Sequence, residues 1–264
     1  MVLLNKSYYE VKNMEELSLM NFDSNPNAVL NPNYKNLGCD FADKLVYPFV
    51  TDENFQAFLA DKDYKIVATF ETFACNFSVY QVQYHNQTLS LVRPPLGASA
   101  AVQLLDWLIA YGVKEVLAIG SCGALTSGNE GDFFLPTKAL RDEGTSFHYV
   151  APSRYITLSS PLVMQVKEQL EKRRLPYTEV TTWTTDGFFR ETKTKVEQHL
   201  AEGISVVEME CAAMAACCQL RNVQFAQILY SADSLANFEH DERNWGEKRQ
   251  KDVVGLACDI LTAI

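Results

Sequence analysis

Neither a C-x-x-C pair nor any other short, regular cysteine spacing occurs in this chain of 264 residues. Its seven cysteines are an odd number, and Cys217 and Cys218 are adjacent within an alanine-rich run. That usage argues against a disulfide framework or a cysteine-built metal site. It reads as reduced thiols in the core of a cytoplasmic protein. Long apolar runs are also missing: none approaches the roughly 18 residues of a membrane span, and no apolar leader core follows Met1. Positive charge is scarce. The net charge of −10 argues against nucleic acid or an anionic membrane as a partner. No repeat, low-complexity tract or linker divides the chain, so residues 1–264 are expected to form one domain.

What is present is an ordinary globular composition, 47% hydrophobic and 21% charged, in a chain long enough for a substantial core. Its centre is the stretch VVEMECAAMAACCQL, residues 206–220. The β-branched residues 204–207 read as a strand, and the Ala-, Met- and Leu-rich run after Glu210 reads as a helix buried on most sides. Glu208 and Glu210 thus fall where a buried strand becomes a buried helix. Charge is costly there unless it is paired, although a carboxylate that caps a helix N-terminus is favourable.

Around this centre the pattern predicts an α/β fold. Residues 24–36, rich in Asn and Pro, read as loop, and 53–60 as a short helix. Regular structure is expected from residue 65, with 76–84 and 88–92 forming an antiparallel hairpin. Gly97 opens a helix that ends at Tyr111-Gly112, and the apolar strand 116–119 runs into the turn-like sequence GSCG at 120–123. Strand, helix and strand make a crossover unit. Further strands are expected at 133–140, 178–183 and 223–230. Helices are expected at 160–172, with Pro161 in the first turn, at 191–200, and as one long element at 241–263.

Ligands of open α/β sheets collect beyond the carboxyl ends of strands. Three apolar strands end in polar tips here: GSCG, Glu208-Met209-Glu210, and Ser231-Ala232-Asp233. The glycines of GSCG suit a backbone anion nest, and Ser121 adds a hydroxyl. Paired carboxylates suit the neighbouring hydroxyls of a sugar. A desolvated Asp233 could give a proton to a leaving group, and Phe188-Phe189 could cover a flat base. His148 and His240, single histidines in loops, read as structural.

The motifs GSCGAL, VEMECAA and YSADSL, with RPPLGASAA, DEGTSFHY and WTTDGFFRET, resemble the nucleoside phosphorylase superfamily of hexameric purine nucleoside and uridine phosphorylases. The resemblance covers roughly residues 64–263; the first sixty or so lie outside it. It implies a three-layer α/β/α fold around a mixed, partly barrel-like sheet. It also implies phosphorolysis of a nucleoside to free base and ribose 1-phosphate, without metal or organic cofactor, by a homo-oligomer built from dimers, up to a hexamer. Carried over residue by residue, Gly120 and Ser121 would hold phosphate, Glu210 the ribose hydroxyls, and Met209 would pack on the sugar. Phe188 would stack on the base, Glu208 would belong with Met209 and Phe188 to the substrate site or only order it, and Asp233 would protonate or hydrogen-bond a purine at N7.

The departures matter as much. Ala118 stands where such phosphorylases carry a phosphate-binding Arg, and no glycine-rich N-terminal phosphate loop is visible. Arg93, or else Arg190, is the candidate for the missing charge. Thr192 and Thr194 stand where uridine phosphorylases clamp uracil with Gln and Arg, so Asp233 points to purine. Three readings stay open: a phosphorylase, a nucleosidase that uses water, and a non-catalytic nucleoside binder. Retention of both Glu210 and Asp233 counts against the last.

Overall fold

The computed structural model describes residues 17–38 and 40–264. Residues 1–16, where the expected absence of a leader falls, and Cys39 lie outside them. In chain order the elements are β1 (Lys44–Pro48), α1 (Asp52–Leu59), β2 (Tyr64–Glu71), β3 (Asn76–Tyr84), β4 (Gln87–Leu91), α2 (Ala98–Ala110), β5 (Glu115–Ala124), β6 (Phe133–Asp142) and β7 (Tyr155–Thr157). They continue with α3 (Pro161–Lys172), β8 (Tyr177–Thr185), α4 (Lys193–Ala201), β9 (Ile204–Glu208), α5 (Cys211–Arg221), β10 (Gln224–Ser234), α6 (Glu247–Gln250) and α7 (Val253–Thr262).

One mixed sheet runs β10-β6-β8-β9-β5-β1-β4-β3-β2, with β7 added beside β6. Because β10 also pairs with β5, the strands β5, β9, β8, β6 and β10 close into a ring. This is the partly barrel-like α/β sheet expected. Helices cover both faces. Successive strand residues point to opposite faces, so Lys44 and Tyr47 of β1 mark the two sides. The Tyr47 hydroxyl donates to the Ala101 carbonyl in α2 at 2.9 Å. Lys44 Nζ donates to the Leu261 carbonyl in α7 at 3.2 Å.

Several local expectations hold for the reasons given. The β3–β4 hairpin turns at His85-Asn86, both with positive φ, as a tight two-residue turn demands. Ser160 caps α3 by accepting from the Leu162 N–H at 3.2 Å, with Pro161 in the first turn. In α5 every residue from Cys211 to Cys218 is buried. The helix ends at Asn222, whose left-handed conformation frees its N–H to meet the last carbonyls. Six cysteines among the described residues are free, five of them buried.

Three expectations are corrected. Regular structure begins at β1, not at residue 65. Leu45, Val46 and Tyr47 are fully buried between β4 and β5. The strand escapes a pattern reading because it is only five residues long and ends on Pro48, a residue normally foreign to central strands. The crossover through α2 therefore lands two strands away, with β1 filling the gap. GSCG is not a turn: β5 continues through it, with Gly120, Ser121 and Cys122 paired to Leu229, Tyr230 and Ser231 of β10. Finally, the long C-terminal helix is broken. Asn244, Trp245 and Gly246 have positive φ, and α7 starts only at Val253. A side chain at Gly246 would come within 2.8 Å of the Tyr230 ring, so this break is packed against β10.

Candidate active site

The two carboxylates of the central motif have different surroundings. Glu208, the last residue of β9, is buried and turned inward. Its Oε2 accepts the N–H groups of Glu210 and Cys211 at 2.7 and 2.6 Å, and its Oε1 accepts the hydroxyls of Thr184 and Thr182 at 2.6 and 3.2 Å. Two of these donors are the free N–H groups at the start of α5, so Glu208 acts as the cap of that helix. Burial pushes its carboxyl up in pKa, and the four hydrogen bonds oppose that shift.

Glu210 precedes the first turn of α5 and is also buried. Its Oε1 accepts the Gly97 N–H at 2.6 Å, which ties it to the start of α2. Gly97 has φ +92, a conformation an L side chain rarely adopts, and this aims its N–H at the carboxyl. Burial, and then the Glu208 charge, push the Glu210 carboxyl up to about 8.

Asp233 is positioned by an irregularity. In the β5–β10 pair Ser231 sits opposite Cys122 and Asp233 opposite Gly123, so Ala232 is an extra residue. Such a bulge re-aims the side chains after it. A Cβ on Gly123 would lie 3.3 Å from Asp233 Oδ1, so the absent side chain leaves room for the carboxyl. Asp233 is 9% exposed; burial raises its pKa, opposed by the hydrogen bond from His240 at 3.2 Å.

These groups converge on one cavity of 410 Å³. Gly120, Ser121, Phe188, Glu208, Met209, Glu210 and Asp233 all line it. Arg93 does not: its guanidinium faces Asp52 at 3.4 Å. Arg190 is exposed and outside the lining, and Ala118 is fully buried within β5. Of the two threonines compared with a uracil clamp, Thr192 caps α4, and neither lines the cavity.

The structure adds lining residues that sequence reasoning missed: Phe49, Glu191, Gln227, Trp245 and Gln250. Glu191 stood in the sequence only as part of the WTTDGFFRET motif and the start of the helix expected at 191–200. Burial, and then the Asp233 charge, push its carboxyl up to about 7. Gln227 is 1% exposed, and its Oε1 has no hydrogen-bond partner among the described residues. His240, set aside as structural, reaches Asp233. Among the described residues the lining holds four carboxyl groups and no Lys or Arg, and no cluster suited to a metal ion occurs. No helix among them is long and apolar enough to cross a membrane.

A family model described as the phosphorylase superfamily matches residues 50–263, starting upstream of the resemblance read from motifs. An uncharacterized protein, R802, of Acanthamoeba polyphaga mimivirus is 24% identical over 161 residues, 61% of this chain and 62% of that one. The match thus spans a little under two thirds of this relative. The DeoD-type purine nucleoside phosphorylase of Mycoplasma genitalium is 25% identical over 189 residues, 69% of this chain and 78% of its own. Among solved structures, the uridine phosphorylase of Vibrio fischeri superposes with a TM-score of 0.71 at 17% identity, over 90% of this chain and 100% of that one. The 5′-methylthioadenosine/S-adenosyl homocysteine nucleosidase of Campylobacter jejuni gives 0.68 at 18% identity, over 84% and 100%. At such identities the structural likeness speaks for the fold alone.

Proposed function

The chain belongs to the phosphorylase superfamily, and from that premise we propose that it cleaves the N-glycosidic bond of a nucleoside, a purine in preference to uridine, and passes the sugar to phosphate. The observation that carries this reading is that Glu210, Met209, Phe188, Ser121 and Asp233 line one cavity. The Glu210 carboxylate accepts the ribose 2′ and 3′ hydroxyls, Met209 packs on the sugar, and Phe188 covers the base. Asp233 gives its proton to purine N7. The electron pair of the C1′–N9 bond then flows into the base, and positive charge develops on the sugar, as in glycoside cleavage generally. A phosphate oxygen bonds to C1′ from the side of Gly120 and Ser121. The reaction needs no metal or organic cofactor, and phosphate is its co-substrate.

A specific observation favours a second reading, hydrolysis. A phosphate dianion finds no Lys or Arg among the described lining residues to offset its charge; water needs none. In a homo-oligomer, which the resemblance implies, a second copy is one source of the missing cation. Assays of inosine, adenosine, guanosine and uridine with and without phosphate separate the readings. Phosphorolysis predicts cleavage that requires phosphate and yields ribose 1-phosphate. Cleavage at an equal rate without phosphate, yielding free ribose, transfers the assignment to a nucleosidase.

The Glu210 carboxyl adds a pH prediction. With a pKa of about 8 it is mostly protonated in the empty site at neutral pH. Sugar hydroxyls that donate to it favour the ionised form, so binding is tighter where that form is available. Affinity for the nucleoside should therefore rise with pH toward 8, and binding at pH 7 should release a proton. Calorimetry in buffers of different ionisation enthalpy reads that release directly. A binding heat independent of the buffer would refute this role for Glu210.

A further inference from the structure

We propose that His240 is the proton conduit of the site: its imidazole connects the buried Asp233 carboxyl to bulk water and resupplies the proton that Asp233 gives to the leaving base. This rests on the reading of the cavity above. His240 Nε2 lies 3.2 Å from Asp233 Oδ2, and the two side chains are 46% and 13% exposed. One edge of the ring meets the carboxyl while the rest reaches solvent. Asp233 also lines the cavity, so when a nucleoside fills that side the His240 edge is the route left to solvent; among the described residues no other side chain hydrogen-bonds the carboxyl.

The segment that carries His240 is held in place. Asp241, its neighbour, exchanges two backbone hydrogen bonds with Ser234, at 2.8 and 2.9 Å. The chain after β10 is thereby folded back over the Ala232 bulge. The His240 ring lies 5.5 Å from the Trp245 ring, which lines the cavity. Around it, Asn237, Phe238, Arg243, Asn244 and Trp245 all have positive φ. Backbone of this kind is costly and persists where its surroundings fix it, often at functional sites.

The other charged neighbours do not serve. Arg243 Nη1 donates to Ser231 Oγ at 3.2 Å and its Nε to Asp241 Oδ2 at 3.2 Å. A guanidinium also does not give up its proton. Glu191 shares the cavity but makes no hydrogen bond with Asp233 among the described residues.

The step balances simply. The Asp233 proton passes to purine N7 as the C1′–N9 electron pair leaves with the base. A protonated His240 ring then passes its Nε2 proton to Asp233 Oδ2 and becomes neutral, and it is reprotonated from solvent, which receives the proton that hydrogen phosphate loses on bonding to C1′.

A substrate whose base already carries positive charge removes the need for this proton, because its leaving group departs neutral. The test compares inosine with 7-methylinosine in the wild-type chain and in the His240→Gln and His240→Ala variants. Both variants should lower kcat on inosine by about ten- to a hundredfold, part of what general acid catalysis contributes. KM should stay within about twofold, and turnover of 7-methylinosine should be unchanged. Added imidazole should partly restore His240→Ala on inosine. Equal losses on both substrates, or no loss on either, would overturn the conduit while leaving the cavity reading intact. A wild-type chain that cleaves neither nucleoside would overturn the cavity reading and the conduit together.

Discussion

Asp233→Asn should lower kcat/KM for purine nucleosides by about 10²–10⁴-fold, the usual worth of a positioned general acid, or about 3–5 kcal/mol of barrier. The substitution is isosteric. Asn keeps a carbonyl oxygen for His240 and fits the space beside Gly123, where the nearest Asp233 oxygen would lie 3.3 Å from an added Cβ. The loss should therefore fall on kcat, with nucleoside binding and folding little changed. The base decides how large it is. A purine offers N7 as the atom to be protonated, and a pyrimidine has no such atom. Parallel kinetics on inosine and uridine thus ask two questions at once. A large loss confined to inosine supports the acid role. Undiminished inosine cleavage refutes it.

Removing Glu208 should be felt in stability first. Glu208→Ala would leave the Glu210 and Cys211 N–H groups and the Thr182 and Thr184 hydroxyls, all on buried residues, without their acceptor. Each orphaned buried group costs about 1–3 kcal/mol, and the hydroxyls are free to rotate, so a total of about 3–5 kcal/mol is expected. Glu208→Gln should cost only about 1 kcal/mol. Its carbonyl can still receive both N–H groups, while its amide donates to hydroxyls that turn round to accept. Urea unfolding of the three proteins measures this difference. Equal stability of the Ala and Gln variants would show that the cap contributes little. The Ala variant should also weaken nucleoside binding, because Glu210 is held at the first turn of the helix that Glu208 caps.

How much of this was legible in the sequence follows from what each residue's position depends on. Glu208, Glu210, Asp233 and Ser121 lie on or just beyond apolar strands, so period and composition alone place them at one end of a sheet. Ser160 and Pro161 announce α3 through local chemistry that works without tertiary help. Glu191 and Trp245 fell inside helices expected from periodicity at 191–200 and 241–263, but they and His240 lie outside the regular α-helices, in segments whose path is set by contacts made elsewhere. The GSCG glycines misled because a pattern suited to a turn also suits a strand that needs close approach. A Cβ on Gly120 would lie 2.9 Å from Phe49 Cβ, and one on Gly123 would lie 3.0 Å from Val207 Cγ1. Likewise β1 is short, and its pairing with β4 and β5 is visible only once those strands are side by side. Arg93 looked available for phosphate because a sequence does not display Asp52 across from it.

The ring closes where β5 meets β10, through residues more than a hundred positions apart in the chain. Long-range parallel pairing of this kind forms late, since loop closure must be met before contacts reward it. Gly123 and Asp233 face each other on that seam, so a chain still emerging from the ribosome holds no part of a working cavity until β10 and the segment after it have been made. Until then the buried strand Val116–Ile119 lacks its partner on one side, a row of open backbone groups flanked by apolar side chains. An incomplete copy of this chain therefore presents an open strand edge before it has a cavity.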